Sequence, residues 1–94
     1  MRVAETIRAK LAAALSPTRL VIKDESHLHA GHAGARAGGE SHFRVTVVSP
    51  LFVGQPPVAR QRAVNAALKE ELAGPVHALA MKTLTPQEFL AAPE

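Results

Sequence analysis

Apolar residues recur at every fourth position from residue 3 to residue 15. The recurring residues are Val3, Ile7, Leu11 and Leu15. This spacing stacks side chains on one face of an α-helix. The Ser16-Pro17 pair ends the pattern, because the residue before a proline avoids the helical conformation. The sequence therefore predicts a helix over residues 3–15.

Two later segments alternate between apolar and polar side chains, which is typical of β-strands. In residues 19–25, Leu20 and Ile22 alternate with polar neighbours, and Val21 adds β-propensity. In residues 42–48, one set of alternate positions is apolar and the other is mostly polar; the apolar set is Phe43, Val45 and Val47. We expect the two strands to pair antiparallel.

The segment between these strands, residues 26–40, shows no hydrophobic periodicity. It contains four Gly, four Ala and three His, and Leu28 is its only large apolar residue. We expect a long exposed loop, and loops of this length in compact domains are usually functional or mobile.

The second half of the chain predicts a turn and a second long helix. Ser49-Pro50 ends the strand, and residues 51–54 form a short apolar turn or a single helical turn. A helix is predicted over residues 57–73, with Arg60 on its solvent side; its apolar line is Val64, Leu68 and Leu72. Gly74-Pro75 marks its end.

A third strand and a short last helix complete the predicted elements. Residues 76–84 read as a strand, with His77 near its start. Thr85-Pro86-Gln87-Glu88 is a capping box with proline at the first helical position, which predicts that a helix begins there.

The element order predicts an α+β fold with two layers. A helical crossover joins the second and third strands, so these two are expected to be parallel. The result is a three-stranded mixed sheet with helices on one face. No repeat or linker divides the chain, so residues 1–94 are treated as a single domain.

Cysteine and histidine counts constrain the chemistry of this 94-residue chain. It has no Cys and five His. Disulfides, thiol nucleophiles and all-cysteine metal sites within the chain are thereby excluded. Imidazole remains available as a metal ligand, with any sulfur supplied by a partner. A large enzyme with its own deep cavity is not expected at this length.

The formal net charge of +3 does not by itself identify a partner. The basic residues are scattered, and the densest run is Arg60-Gln61-Arg62. Steering toward phosphate requires a patch of charge rather than a sum. No apolar run approaches the ~18 residues of a membrane span, and the N-terminus does not resemble a signal peptide. We expect a cytoplasmic protein.

The histidines of the loop are the main chemical signal. His27 and His29 flank a single residue and His32 follows closely, and imidazole binds zinc, copper, iron and nickel. The alternative is a polar loop in which these histidines are incidental. For His42, at the start of the second strand, we expect a structural role through a hydrogen bond near the loop base.

Arg60, Arg62 and Gly54 are candidate residues for binding nucleic acid or a partner. The two arginines lie near the start of a helix that follows an apolar turn, as in a helix-turn-helix. The alternative is a solvated helix face. The segment around Gly54 lacks the two-glycine pattern of nucleic-acid-binding KH loops, which argues against general RNA binding.

Taken together, the motifs resemble the BolA family over nearly the whole chain. In order, they are Asp24-Glu25-Ser26, Glu40-Ser41-His42-Phe43-Arg44-Val45, Val47-Val48-Ser49, Phe52-x-Gly54, Val76-His77-Ala78-Leu79-Ala80 and Thr85-Pro86. The family fold resembles a class II KH domain and agrees with the predicted elements. Many relatives have Arg-His-Arg where this chain has Arg60-Gln61-Arg62.

The resemblance implies a non-enzymatic iron–sulfur adaptor. BolA proteins bind monothiol glutaredoxins and share a bridging [2Fe–2S] cluster with them, together with glutathione. Carried over to this chain, the implied cluster ligands are His77 and His29, with His27 and His32 as further candidates in the same loop. No cofactor is expected in the isolated chain.

Two other functions stay open at this point. The family is also associated with DNA-binding regulation of morphology and stress genes, which would use residues 51–72. A third interpretation is a loop that buffers zinc or copper through its histidines, without a partner. The sequence leaves open whether the free protein is a monomer or a homodimer.

Overall fold

The computed structural model describes residues 2–26 and 41–92. Four helices and three strands follow one another along these residues. They are α1 (Val3–Leu15), β1 (Arg19–Asp24), β2 (His42–Val48), α2 (Pro57–Ala67), α3 (Lys69–Ala73), β3 (Ala78–Leu84) and α4 (Pro86–Ala91), with a 3₁₀ turn at Pro50–Phe52 between β2 and α2.

The three strands form one mixed sheet in the order β1-β2-β3. β1 pairs antiparallel with β2, and Lys23 lies opposite Arg44. β2 pairs parallel with β3, and His42 lies opposite Ala78. Both predicted pairings are confirmed, as is the α+β class with its mixed sheet.

One face of the sheet carries the hydrophobic core. Phe43, Val45 and Val47 of β2 are at most 2% exposed and pack with buried residues of the helices. Those helical residues are Ile7, Leu11 and Leu15 of α1 and Val64 of α2. The prediction that apolar residues at a four-residue spacing lie on one face of α1 is therefore confirmed, and that face packs against the sheet.

The 3₁₀ turn is held against the core by one buried residue at each end. Ser49, the residue before the turn, donates its hydroxyl to the Leu15 carbonyl at 2.6 Å and accepts from the Leu51 N–H at 3.1 Å. Phe52 closes the turn and is 1% exposed, whereas Leu51 beside it is 53% exposed. The predicted apolar turn is thus a helical turn that buries one of its large side chains.

The prediction of one helix over residues 57–73 is wrong in its detail. The helix is interrupted at Leu68, whose backbone departs from helical angles (φ −108°, ψ 21°). After this point Glu71 is the buried residue of α3, and Leu72 is only partly buried. Lys10 of α1 pairs with both carboxylates of α3, because its Nζ lies 2.8 Å from Glu71 and 2.9 Å from Glu70. Bonds to these two carboxylates raise the pKa of Lys10.

The last helix begins as its sequence predicts. Thr85 accepts the Glu88 N–H at 3.1 Å, and Glu88 Oε1 accepts the Thr85 N–H at 2.8 Å, which completes the capping box. α4 lies at the end of β3, where the guanidinium of Arg19 stands 5.2 Å from the centroid of the Phe89 ring. In the part of the chain described, no helix is long and apolar enough to cross a membrane.

Candidate functional site

His77 presents an exposed imidazole at one end of the sheet, directly before β3. Its N–H donates to the carbonyl of Ser41 at 2.7 Å, and the Ala78 N–H donates to the same oxygen at 3.2 Å. These two bonds fix the backbone of His77 beside the start of β2. The exposed imidazole is therefore attached to a backbone segment that is hydrogen-bonded to the sheet.

A second histidine lies next to it. His42 is 5% exposed, and its ring centroid is 5.2 Å from that of His77, with the ring planes tilted by 52°. The parallel register explains this contact. His42 pairs with Ala78 and therefore lies beside His77, the residue before Ala78. The fold thus brings together two imidazoles that are far apart in the sequence.

Ser26 and Ser41 join the two ends of the 27–40 segment. The Ser26 hydroxyl oxygen accepts the N–H of Ser41 at 2.9 Å and the N–H of His42 at 3.1 Å. The two serine hydroxyls are 3.3 Å apart, and Asp24 Oδ1 accepts the Ser26 N–H at 2.9 Å. We call this arrangement of Ser26, Ser41 and the His42 N–H the serine clasp. It fixes where the segment leaves the sheet and where it returns.

The two imidazoles have different roles in this corner. Nδ1 of His42 lies 2.9 Å from the Ser41 hydroxyl, so this nitrogen is engaged whichever group donates the proton. The predicted hydrogen bond of His42 near the loop base is therefore confirmed. Of these two imidazoles, His77 is the exposed one and is accessible to a ligand.

The loop histidines predicted as ligands lie outside the described residues. This holds for His27, His29 and His32 alike. Within residues 2–26 and 41–92, no three His, Asp or Glu side chains gather in an arrangement that could hold a metal ion. Of the two ligands implied by the family resemblance, the structure therefore places His77 and does not describe His29.

The prediction that Arg60 lies on the solvent side of α2 is wrong. The residue is 9% exposed, and its Nε donates to the Gln55 carbonyl at 2.8 Å. Its Nη1 donates to the Thr83 carbonyl at 3.2 Å and to Glu88 Oε1 at 2.6 Å. The guanidinium is hydrogen-bonded to backbone and carboxylate acceptors at the junction of α2, β3 and α4. It acts as an internal link rather than as an exposed phosphate contact.

The other two candidates at this end of the fold are exposed. Arg62 lies on the outer surface of α2, and Gly54 lies in the turn that precedes it. Gly54 has a φ of +80°, which favours glycine, and no atom lies within 4 Å of a Cβ placed there. Gly54 is thus explained by the backbone conformation of the turn.

The ion pair of Arg60 predicts an acid-sensitive contribution to stability. The bond to Arg60 and the Thr85 N–H hold the pKa of Glu88 below its ordinary value of 4.5. A carboxylate with a lowered pKa stabilises the folded state above its unfolded pKa, and this contribution is lost as the pH falls through the folded pKa. We expect Glu88→Gln to melt below the wild type at pH 7, with the difference shrinking at pH values under 4.5. Thermal melts at several pH values measure this, and a constant difference would contradict it.

Sequence reasoning did not predict the contact between His42 and His77. The available signal was the parallel pairing of the second and third strands, which aligns the start of one with the start of the other. The serine clasp was not predicted either, because its partners are 15 and 16 residues apart and no local pattern connects them.

The fold and site together define a class of small mixed α+β domain. Helices cover one face of a three-stranded sheet, and an exposed imidazole stands where a long strand-connecting segment begins and ends. The comparisons with known proteins agree with this architecture. The model of the BolA family, described as BolA-like protein, matches residues 11–88. The chain belongs to the BolA-like family.

Three relatives illustrate the similarity. BolA-like protein 1 of Mus musculus is 53% identical over 88 residues, covering 94% of this chain and 61% of that protein. The DNA-binding transcriptional regulator BolA of Vibrio cholerae is 46% identical over 85 residues, covering 90% of this chain and 76% of that protein. The structure of BolA1 from Arabidopsis thaliana superposes with a TM-score of 0.82 at 40% identity, covering 94% of this chain and 96% of that one. The chain thus spans about three fifths of the mouse relative's length.

Proposed function

We propose that this protein is a non-enzymatic iron–sulfur adaptor that binds a monothiol glutaredoxin. In this proposal His77 and His29 ligate a [2Fe–2S] cluster, and thiolates of the glutaredoxin and of glutathione supply the remaining ligands. The adaptor would serve cluster delivery or iron and redox signalling. The observation that carries the proposal is the exposed imidazole of His77, fixed beside the serine clasp.

The position of the serine clasp supports a role for the loop. His29 follows Ser26 by three positions, and three extended residues span at most about 11 Å. Ser26 accepts the N–H of His42, whose ring is 5.2 Å from that of His77. The short distance along the sequence from Ser26 to His29 is therefore compatible with the proposed role of His29 as a ligand together with His77.

The donor set suits a shared cluster. The chain contains five His and no Cys, so it can contribute imidazole while a partner contributes thiolate. When such a cluster is bound, histidine ligation at one iron raises its reduction potential relative to all-thiolate ligation. His42 would help to position His77 by packing against it, because its own Nδ1 is engaged with Ser41.

The test is a spectroscopic titration of a cluster-loaded monothiol glutaredoxin with this protein. We expect changes in visible absorption and circular dichroism when the wild type is added. His77→Ala and His29→Ala should each remove most of the change, whereas the neighbouring loop variants His27→Ala and His32→Ala should retain it. An unchanged spectrum with the wild type, or the full change with the His29→Ala/His77→Ala double variant, would rule out the proposed ligands.

A zinc or copper titration separates this function from metal buffering. Metal binding by the isolated protein, tight without glutaredoxin and lost in the loop variants, would favour a buffering loop. We expect weak binding, because the two proposed ligands occupy only part of a coordination sphere.

DNA-binding regulation is a second candidate function, favoured by the similarity to the DNA-binding transcriptional regulator BolA of Vibrio cholerae. Of the residues predicted for this role, Arg62 and Gly54 are exposed, while Arg60 is held within the fold. Arg62→Gln should then weaken binding to a promoter duplex. Binding that falls steeply with salt and prefers one promoter would support this function.

A further inference from the structure

The hydrogen bonds of the serine clasp determine which group donates in the contact between Ser41 and His42. The hydroxyl oxygen of a serine has two lone pairs and one proton. At Ser26 both lone pairs are occupied, because this oxygen accepts the N–H groups of Ser41 at 2.9 Å and of His42 at 3.1 Å. No lone pair of Ser26 is therefore left for the proton of the Ser41 hydroxyl, which lies 3.3 Å away.

The hydroxyl proton of Ser41 has one other acceptor among the residues that the structure describes. This acceptor is Nδ1 of His42, whose distance of 2.9 Å from the Ser41 oxygen is also the shorter of the two. Ser41 is 0% exposed and His42 is 5% exposed, so neither group turns to bulk water instead. Ser41 is therefore the donor of this bond, and Nδ1 of His42 is the acceptor.

The direction of this bond fixes the tautomer of His42. A neutral imidazole has a lone pair on one ring nitrogen and a proton on the other. Nδ1 of His42 uses its lone pair to accept from Ser41, so the ring carries its proton on Nε2. In this tautomer neither nitrogen can bind a metal ion, because the lone pair of Nδ1 is engaged and Nε2 is protonated.

His77 differs from His42 in both respects. It is exposed, and within residues 2–26 and 41–92 no hydrogen bond to its ring restricts the tautomer. The centroids of the two rings are 5.2 Å apart, a separation typical of interacting aromatic rings. An imidazole with a fixed tautomer thus lies against one that is able to bind a metal.

We propose that Ser41 is a positioning residue, which holds His42 in the Nε2-protonated tautomer and makes it the support of His77 instead of a competing metal ligand. Groups behind a metal-binding imidazole commonly fix its orientation, and here that group is a second imidazole. This corner then supplies a single ligand, and any other ligand from this chain lies elsewhere. The effect on a metal ligand rests on the proposed function of His77, whereas the tautomer of His42 follows from the hydrogen bonds alone.

The first measurement records long-range proton–nitrogen NMR spectra of the imidazoles in the free protein at about pH 8, where ordinary imidazoles are neutral. His42→Asn identifies the signals of His42 by their absence. We expect one tautomer for His42, with an unprotonated Nδ1 and a protonated Nε2, and an average of both tautomers for His77. A protonated Nδ1 at His42, or averaged signals there, would overturn the proposal.

Two buried serines provide a matched pair of variants for the same spectra. Ser41 and Ser49 are both 0% exposed, and the hydroxyl of Ser49 donates to the Leu15 carbonyl, beyond the other end of β2. Ser41→Ala should replace the single tautomer of His42 by a mixture, whereas Ser49→Ala should leave it unchanged. Ser41→Thr keeps the hydroxyl and should retain the wild-type signals. Equal changes in the two alanine variants would reflect a general loss of structure and would contradict the role of Ser41.

The second measurement adds each variant to a cluster-loaded monothiol glutaredoxin and records visible circular dichroism. Ser41→Ala should change the shape of the spectrum obtained with the wild type, because His77 is no longer held in one orientation. Ser41→Thr and Ser49→Ala should reproduce the wild-type spectrum, and the same result with Ser41→Ala would overturn the positioning role. A glutaredoxin spectrum that the wild type leaves unchanged would contradict the proposed function, and the NMR spectra of the free protein would still confirm or overturn the assignment of Ser41.

Discussion

Phe52→Ala should lower the free energy of unfolding by about 3–5 kcal/mol, the range for deleting a buried aromatic side chain. Phe52 is 1% exposed and belongs to the core cluster. Its ring also lies 5.8 Å from the guanidinium of Arg60. The substitution therefore leaves a cavity beneath the 3₁₀ turn and removes one neighbour of the arginine that links α2, β3 and α4.

Urea unfolding followed by circular dichroism measures this loss, and the adjacent residue provides the control. Leu51 has a similar apolar character but is 53% exposed, so Leu51→Ala should change stability by no more than about 0.5 kcal/mol. A loss below about 1 kcal/mol for Phe52→Ala would show that the turn is not anchored by its ring. An equal loss in both variants would show that burial does not distinguish the two positions.

Ser26→Ala should lower the free energy of unfolding by about 2–4 kcal/mol, because it removes the acceptor of two backbone N–H groups. Both groups, on Ser41 and His42, belong to buried residues, and each donates to the Ser26 hydroxyl. An unsatisfied buried donor costs about 1–3 kcal/mol. The loss should be accompanied by faster hydrogen exchange at the amides of residues 41 and 42.

A threonine at the other end of the β1–β2 pair provides the control for this prediction. Thr18 Oγ1 donates to the Val48 carbonyl at 3.3 Å, but the residue is exposed. Water can replace that bond, so Thr18→Ala should cost less than about 1 kcal/mol. If Ser26→Ala unfolds at the same urea concentration as the wild type, or if exchange at residues 41 and 42 is unaltered, the serine clasp does not stabilise the loop base.

Local sequence patterns predict those helices and strands that are stabilised by residues close to one another in the chain. The spacing in α1, the alternation in β2 and the capping box at Thr85 all depend on residues within a turn or a pleat of one another. The interruption at Leu68 was not predicted, because no Pro or Gly stands there to indicate it. The ion pair between Lys10 and Glu71 was not predicted either. These two residues are 61 positions apart in the chain.

Arg60 and the exposed basic residues of the sheet show the same limit in opposite directions. Arg60 has the polarity of a surface residue, yet it is buried because carbonyl and carboxylate acceptors meet at its position. Lys23, Arg44 and Lys82 form no cluster in the sequence, yet the strand register places them together. For the candidate site, the family resemblance predicted His77. Its contact with His42 follows from the parallel pairing of β2 with β3.

The parallel pairing of β2 with β3 also has a consequence for the order in which the chain folds. The β1–β2 hairpin joins strands that are close in sequence. His42 and Ala78, which pair in the sheet, are 36 positions apart in the chain, with α2 and α3 between them. Contacts of this range require a large loss of chain entropy before they form. A partly folded chain with only the hairpin carries His42 but does not hold His77 beside it. The paired imidazoles are therefore a feature of the fully folded domain, and a nascent chain cannot present them until β3 has been synthesised and has joined the sheet.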